Sequence, residues 1–194
     1  MNKKLTNVET EIKLFDKLSE SKNHTQRSIS KDLGIALGVA NALIKKFLKK
    51  GLLKLRSAPM KRYFYYVTTE GFVEKAKLVK EYVHSSLDFY RKVRTEYDKV
   101  FKLNKNKELI LVGISELTEI AILSANLSGT KISYIYDSNH SKKFFYGIKV
   151  INNIKDSHLK YCFVLTQSYN SQKLYKKLLT KKIKLIKPKF LKMD

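Results

Sequence analysis

The sequence contains few of the features that mark secreted or membrane-embedded proteins. Its 194 residues include one cysteine and no tryptophan, and a single cysteine, Cys162, cannot form a disulfide within the chain. The longest purely apolar stretch, near residues 109–114, is much shorter than a membrane span requires. Residues 1–5 lead into an amphipathic pattern without an apolar core, so no secretory signal is expected. These absences predict a cytoplasmic protein with no membrane partner.

Acidic residues are also scarce. The chain has 17 Asp and Glu against 40 Lys and Arg, which gives a net charge of +23. Such a chain suits a polyanionic partner, because Lys and Arg release counterions from a phosphate backbone. The excess is nevertheless spread evenly: 23 basic and 11 acidic residues up to Asn104, then 17 and 6 beyond it. Charge alone therefore leaves two interpretations open, a general basic surface and a dedicated nucleic-acid face.

The first seventy residues predict three helices followed by a hairpin. Apolar residues at spacings of three and four predict helices over 6–22, from Thr25 or Ser28 to Asp32, and over 36–50. Gly34 and Gly51 are expected to end the second and third helices, because glycine readily takes a positive φ. Alternating patterns predict strands over 52–57 and 63–68, joined by a basic turn. This order is that of a winged helix-turn-helix domain.

Residues 29–53, ISKDLGIALGVANALIKKFLKKGLL, resemble the helix-turn-helix of MarR-type regulators, especially a short subgroup associated with exopolysaccharide gene clusters. The resemblance extends over residues 5–75 and implies a transcriptional regulator of surface-polysaccharide genes that binds double-stranded DNA. Two positions depart from the family pattern, because Ala36 and Val39 stand where Ser and Lys are usual. A serine at the first position would cap the helix and contact a phosphate.

The second helix of such a motif lies in the major groove, with its N-terminal half against base edges. Asn41 can pair bidentately with adenine, and Leu37 can contact a thymine methyl. Small side chains on the same helix permit a close approach, while basic side chains on the helix and wing meet phosphates. The residues predicted to bind DNA are Ala36, Leu37, Gly38, Asn41, Ala42, Lys45, Lys46, Lys61 and Arg62. For each of these taken singly, a solvated surface position is the alternative.

A long helix is predicted next, over residues 69–101, which contain no proline. Apolar and small residues recur there at alternating spacings of three and four: Ala76, Val79, Val83, Ser86, Tyr90, Val93, Tyr97 and Val100. This heptad pattern favours a helix that pairs two copies of the chain. The alternative is an ordinary core helix. A two-fold homodimer would place two recognition helices on successive major grooves, which predicts an inverted-repeat operator.

Beyond the polar linker at 104–107, strands alternate with helices. Strands are predicted over 108–113, 131–136, 149–151, 161–166 and 184–186, and helices over 115–127 and 171–180. This alternation is typical of a small parallel α/β sheet. The predicted fold is therefore α/β plus winged helix: a winged helix-turn-helix domain at 1–68, a linking or dimerisation helix at 69–103, and a Rossmann-like α/β domain at 104–194.

Residues 108–167 resemble the small Rossmann-like domain at the front of sialic-acid and bacillosamine acetyltransferases. The resemblance rests on Gly113 after the first strand, Asp137 at the end of the second, and the segment GIKV at 147–150. It implies a sugar or sugar-nucleotide effector held by Gly113, Ser115 and Asp137. Ser115 replaces the second glycine of a dinucleotide fingerprint, and Glu116 and Glu119 would repel a phosphate, so NAD is not expected. A sheet that only supports dimerisation or a partner is the alternative.

The titratable residues do not predict an enzyme. The four histidines are scattered, and none has Cys or carboxylate neighbours at metal-ligand spacing. Cys162 lies in an apolar strand, and neither a phosphate-binding loop nor a nucleophile turn is present. The prediction is a non-enzymatic regulator with no metal and no cofactor. The alternative function is an adaptor that uses the winged helix and the α/β domain to bind a protein partner.

Overall fold

A computed structural model describes residues 3–20, 24–58, 62–167, 178, 183 and 185–191. The chain forms two compact units, Met1–Leu87 (unit 1) and Asp88–Asp194 (unit 2). The division falls inside one continuous helix, α4 (Thr69–Leu103), so the predicted linking helix contributes residues to both units. Within the described ranges, no helix combines the length and hydropathy that crossing a membrane requires.

Unit 1 contains the predicted order of elements: α1 (Lys3–Ser19), α2 (Gln26–Leu33), α3 (Leu37–Lys49), β1 (Leu53–Ala58) and β2 (Arg62–Val67). Thr25 caps α2, because its side chain accepts a hydrogen bond from Ser28 N at 3.2 Å. Ser28 Oγ in turn accepts one from Thr25 N at 3.0 Å, which completes a capping box. Gly34, with φ of 62°, ends α2 in the left-handed conformation. The winged helix-turn-helix prediction is confirmed.

The core of unit 1 lies where the three helices meet one face of the hairpin. Its buried members are Leu14, Phe15, Leu18, Ile29, Ala40, Ile44, Phe47, Leu52, Leu53 and Tyr65. Phe15 and Phe47 stack with their ring centroids 4.5 Å apart, which holds α3 against α1. Because the core takes one face of α3, the opposite face is left to solvent.

The heptad seam predicted on α4 is the row of residues from Ala76 to Val100 at alternating spacings of three and four. It divides into two parts with different surroundings. Val93 and Tyr97 have no exposed surface and belong to the core of unit 2. In contrast, Val79 is 38% exposed and Val83 is 49% exposed. The C-terminal part of the seam is therefore an ordinary core helix, and an intermolecular role remains a prediction for the N-terminal part alone.

The described elements of unit 2 are β3 (Leu109–Val112), α5 (Glu116–Ser128), β4 (Ile132–Tyr136), β5 (Phe144–Phe145), β6 (Ile148–Ile151), a 3-10 turn (Asp156–His158), β7 (Cys162–Leu165) and β8 (Leu185–Ile186). These strands form a six-stranded sheet in the order β5-β6-β4-β3-β7-β8. All neighbouring strands are parallel except β5, which pairs antiparallel with β6. Counted from β3, the parallel strands lie in the order 3-2-1-4-5, as in dinucleotide-binding α/β folds. Apart from Leu178, the predicted helix at 171–180 lies outside the described residues.

The second half of α4 packs as a layer of unit 2. Tyr97 Oη donates a hydrogen bond to Leu165 O of β7 at 3.2 Å, and Asp98 accepts one from Ser124 on α5. Tyr97 also stacks with Phe101, with centroids 5.9 Å apart. Burial raises the pKa of Tyr97 far above its usual value, so its hydroxyl remains a donor wherever the protein is folded.

Candidate nucleic-acid interface

The turn between α2 and α3 presents the start of α3 to solvent. Ile35 N donates to Ser30 O at 3.0 Å, which closes the turn behind Gly34. Ala36 is the N-cap of α3 and is exposed, and it makes no side-chain capping hydrogen bond. The first turn of α3 contains no acidic residue. The positive end of the helix dipole is thus available to an anion, and no acidic side chain of that first turn opposes it.

The outward face of α3 combines small residues with lysines. Gly38, Ala42, Lys45 and Lys49 are exposed and follow one another at spacings of four, three and four. No atom of the described residues lies within 4 Å of the position that a Cβ on Gly38 would take. Such a face admits a close approach by a flat or grooved partner and offers cations farther along the helix. Sequence reasoning did not identify Lys49, although its spacing from Lys45 places it on this face.

Asn41 lies at the margin of this face and is half-buried. Its Oδ1 is buried and has no hydrogen-bond partner among the described residues. Bidentate recognition of adenine uses both Oδ1 and Nδ2, so the side chain must rotate outward before it can serve in this way. A buried amide oxygen without a partner is unfavourable, which assists that rotation.

Lys46 is directed toward α1, in contrast to Lys45. Its Nζ lies 2.5 Å from Glu11 Oε1, and the Glu11 side chain is only 16% exposed. The ion pair ties α3 to α1. A phosphate contact by Lys46, as predicted from the sequence, requires that this pair be broken.

The hairpin adds further cations on its solvent face. Lys54 lies opposite Tyr66 in the ladder, and Arg56 lies opposite Phe64. Lys54, Arg56 and Tyr66 are exposed, and sequence reasoning did not identify them as site residues. Hydrogen bonds from its own backbone and from Thr68 lower the pKa of Glu70, and Lys54 contributes to this shift.

The predicted basic turn of the wing lies mostly outside the described residues. Lys61 is one of those residues, and Arg62 begins β2 without a described side chain. Their predicted contacts with phosphates therefore stay predictions.

Within unit 1 the basic residues are distributed unevenly along the sequence. Residues 33–69 carry eight basic residues and no acidic one. This segment comprises the turn, α3 and the hairpin. The basic excess of unit 1 is thus concentrated in the elements that would face DNA, which favours a dedicated face over a general basic surface for this unit.

The three residues predicted to hold an effector lie together at the carboxyl ends of strands in unit 2. Gly113 follows β3 with φ of 89°, Ser115 is the N-cap of α5, and Asp137 follows β4. Each oxygen of the Asp137 carboxylate accepts a backbone hydrogen bond, from Ile114 N at 3.0 Å and from Asn139 N at 2.9 Å. Ser115 Oγ donates to Thr166 O at 2.6 Å and accepts from Leu117 N.

The crevice beside Gly113 is occupied by the protein itself. In the order 3-2-1-4-5, β3 is strand 1 and β7 is strand 4. The direction of the strand connections reverses between these two strands, and ligands of such sheets bind at that point. Here a Cβ on Gly113 would lie 2.7 Å from Gln167 Oε1. The Gln167 side chain therefore fills the space beside Gly113. Within the described residues, no group of three or more His, Cys, Asp or Glu is placed to hold a metal ion.

Comparison with known proteins gives weak structural neighbours only. No protein-family model and no curated protein matches the sequence. One structural neighbour is MepR, a transcription regulator of the Staphylococcus aureus multidrug efflux pump MepA, with a TM-score of 0.38, 16% identity, and coverage of 62% of this chain and 74% of that one. Another is Streptococcus pneumoniae FabT in complex with DNA, with a TM-score of 0.32, 19% identity, and coverage of 61% and 69%.

A third neighbour has a different function. It is human N-acetylserotonin methyltransferase in complex with SAM, with a TM-score of 0.31, 12% identity, and coverage of 84% of this chain and 66% of that one. These TM-scores are too low to carry an argument about this chain. The order, pairing and packing of the chain's own elements define its fold.

Proposed function

We propose that this chain is a sequence-specific regulator of transcription that binds double-stranded DNA through unit 1. The observation that supports the proposal is the outward face of α3. This face is exposed, carries small residues at Gly38 and Ala42 and lysines at Lys45 and Lys49, and belongs to a segment without acidic residues.

The geometry of this face suits the major groove. An α-helix fits the groove, and its N-terminal half reaches base edges when its side chains are small. Gly38 and Ala42 allow that approach, while Lys45 and Lys49 lie farther along, where phosphates flank the groove. The uncapped amides at the start of α3 supply further donors for a phosphate. The regulated genes are proposed to be surface-polysaccharide genes, the context that the resemblance of residues 29–53 implies.

Neutralising the outward lysines of α3 tests the proposal. We expect Lys45→Gln with Lys49→Gln to weaken binding to the upstream duplex, the DNA immediately upstream of the protein's own gene, about tenfold or more. The slope of log affinity against log salt should fall in magnitude by about 2 for each chain that contacts the duplex, because each chain loses two phosphate contacts. Fluorescence anisotropy with the upstream duplex and a scrambled duplex, repeated over a salt series, measures both quantities.

The matched control is Lys77→Gln with Lys80→Gln, which removes the same charge from exposed positions of α4. We expect this control to leave the preference for the upstream duplex unchanged. Equal losses in both variants would reduce the DNA-binding surface to general basic charge. If wild type fails to bind either duplex at moderate salt, the alternative function is supported, namely an adaptor that binds a protein partner.

A homodimer formed through the N-terminal half of α4 is the second part of the proposal. Phe72, Ala76, Val79 and Val83 recur there at heptad spacings and are all exposed. Phe72 is 50% exposed and Val83 is 49% exposed. A stripe of this kind gains free energy when a second copy covers it, because apolar surface leaves water.

A single lysine in this stripe should prevent association. We expect Val83→Lys to convert a dimer into a monomer at tens of micromolar chain, since the charge would be buried in the interface. Val73→Lys is the control, because Val73 is 53% exposed on the same helix but lies off the heptad positions. Light scattering measures the mass. A monomeric wild type, or equal effects of the two lysines, would contradict the dimer.

Unit 2 is proposed to have no catalytic role. The hydroxyl of Ser115 donates a hydrogen bond to Thr166 O, and both oxygens of Asp137 accept backbone hydrogen bonds. These contacts favour a supporting role for the sheet. An effector that binds at Gly113, Ser115 and Asp137 would have to displace Gln167 and compete with these hydrogen bonds. The sugar or sugar-nucleotide effector stays a prediction.

A further inference from the structure

The β5–β6 hairpin at the edge of the sheet in unit 2 exposes two aromatic rings among lysines. Phe144 is 60% exposed and Tyr146 is 66% exposed. Lys142, Lys143 and Lys149 are exposed as well. No acidic residue occurs in the sequence between Asp137 and Asp156, so the charged side chains of this segment are all basic.

The register of the hairpin sets one ring beside one lysine. Val150 N donates to Lys143 O at 2.9 Å, and Phe144 lies opposite Lys149 in the next pair. Pairs alternate along an antiparallel ladder, so Phe144 and Lys149 form a pair without mutual hydrogen bonds, in which side chains lie closest. The neighbouring pair, Phe145 with Ile148, packs against the core of unit 2. Phe144 and Lys149 therefore point away from that core.

The turn places Tyr146 at the tip despite an unfavourable backbone. Tyr146 has φ of 49° and Gly147 has φ of 75°, the pattern of a two-residue type I′ turn. Asn, Asp or Gly is preferred at the first of these positions, because a positive φ strains other residues. The Tyr146 ring contacts Phe145 edge-on with centroids 4.9 Å apart, yet two-thirds of the residue faces water. An exposed tyrosine at this position is more easily explained by a partner than by folding.

We infer that the surface formed by Phe144, Tyr146, Lys142 and Lys149 binds single-stranded nucleic acid. Exposed rings stack on bases of any sequence, and adjacent lysines hold the phosphates. A duplex hides the faces of its bases in its own stack, so the rings select a single strand. Lys149 lies directly opposite Phe144. A base can therefore stack on the ring while the lysine contacts the neighbouring phosphate. The inference does not depend on the proposed function of unit 1.

Removing the two rings without disturbing the hairpin tests this inference. We expect Phe144→Ala with Tyr146→Asn to weaken the binding of fluorescein-labelled oligo-dT by about tenfold or more at physiological salt. Tyr146→Asn alone should weaken binding and yet raise the Tm by about 1–3 °C, because asparagine suits the positive φ. A ring with a purely structural role would not combine these two effects. Fluorescence anisotropy and thermal unfolding of the full chain supply the measurements.

The control is Phe89→Ala, which removes a ring that is 50% exposed elsewhere in unit 2 and should leave oligo-dT binding unchanged. Wild-type affinity in the double variant would overturn the inference. Ring-dependent binding to vesicles of phosphatidylserine and phosphatidylcholine, without binding to oligo-dT, would overturn it in favour of a membrane surface. Lys45→Gln with Lys49→Gln separates the two proposals, since it is expected to weaken duplex binding and to preserve the effect of the rings on oligo-dT.

Discussion

Replacing Gly71 by alanine is expected to destabilise unit 1 by about 3 kcal/mol, because the added methyl group has no space. Gly71 is buried in the first turn of α4. A Cβ there would lie far inside van der Waals contact with the backbone oxygen of Leu52 and 2.7 Å from Val67 Cγ1. The Leu52 oxygen cannot withdraw easily, because it accepts a hydrogen bond from Thr68 N at 3.1 Å.

The same substitution at Gly38 is the control for Gly71→Ala. Gly38 also lies inside a helix, but a Cβ there would meet no atom of the described chain within 4 Å. Gly38→Ala is expected to stabilise unit 1 by about 0.5–1 kcal/mol, because alanine loses less backbone entropy than glycine in a helix. Urea denaturation followed by circular dichroism compares the two. If Gly71→Ala changed stability by less than about 1 kcal/mol, the close approach of α4 to Leu52 would be wrong.

Tyr97→Ala is expected to destabilise unit 2 by about 3–5 kcal/mol, the usual cost of deleting a large buried aromatic side chain. Tyr97 has no exposed surface. Its ring stacks on Phe101 and meets Phe190 edge-on at 5.5 Å. Tyr97→Phe keeps the ring and removes only the hydrogen bond to Leu165 O, so it should cost about 1 kcal/mol.

The dependence on protein concentration separates a core residue from an interface residue. Unfolding of the Tyr97→Ala variant should show the same loss of stability at every protein concentration, because the missing contacts lie within one chain. Tyr90→Ala is the matched control on the same heptad seam; Tyr90 is only half-buried and should cost less. If the loss of stability in the Tyr97→Ala variant vanished at low protein concentration, Tyr97 would lie in an interface between two chains.

The elements of unit 1 were predictable because local signals agree with one another there. Apolar spacing and Gly34 mark the course and the end of α2, and the structure chooses Thr25 over Ser28, the other candidate, as its N-cap. In unit 2 the short strand β5 was missed. Its two residues are too few for a periodic pattern, and the turn that follows has tyrosine where a hairpin signal would have asparagine.

Periodicity could not separate the two halves of α4. Val83 and Val93 follow the same heptad pattern, yet one is half exposed and the other fully buried. A helical pattern states which residues share a face, and it carries no information about what covers that face. The sheet of unit 2 covers Val93, Tyr97 and Phe101, and this contact joins residues that are far apart in sequence.

The candidate sites divide in a similar way. The amino-acid order alone was enough to place Gly38, Ala42 and Lys45 on one exposed face of a helix, because helix geometry is local. Folding was needed to direct Lys46 toward Glu11, to bury Asn41 Oδ1 and to bring Gln167 against Gly113. Each of these outcomes depends on a neighbour from another element. Spacing along a chain specifies which side chains lie together on one element, whereas the hydrogen bonds and ion pairs that occupy a polar group are specified by packing between elements.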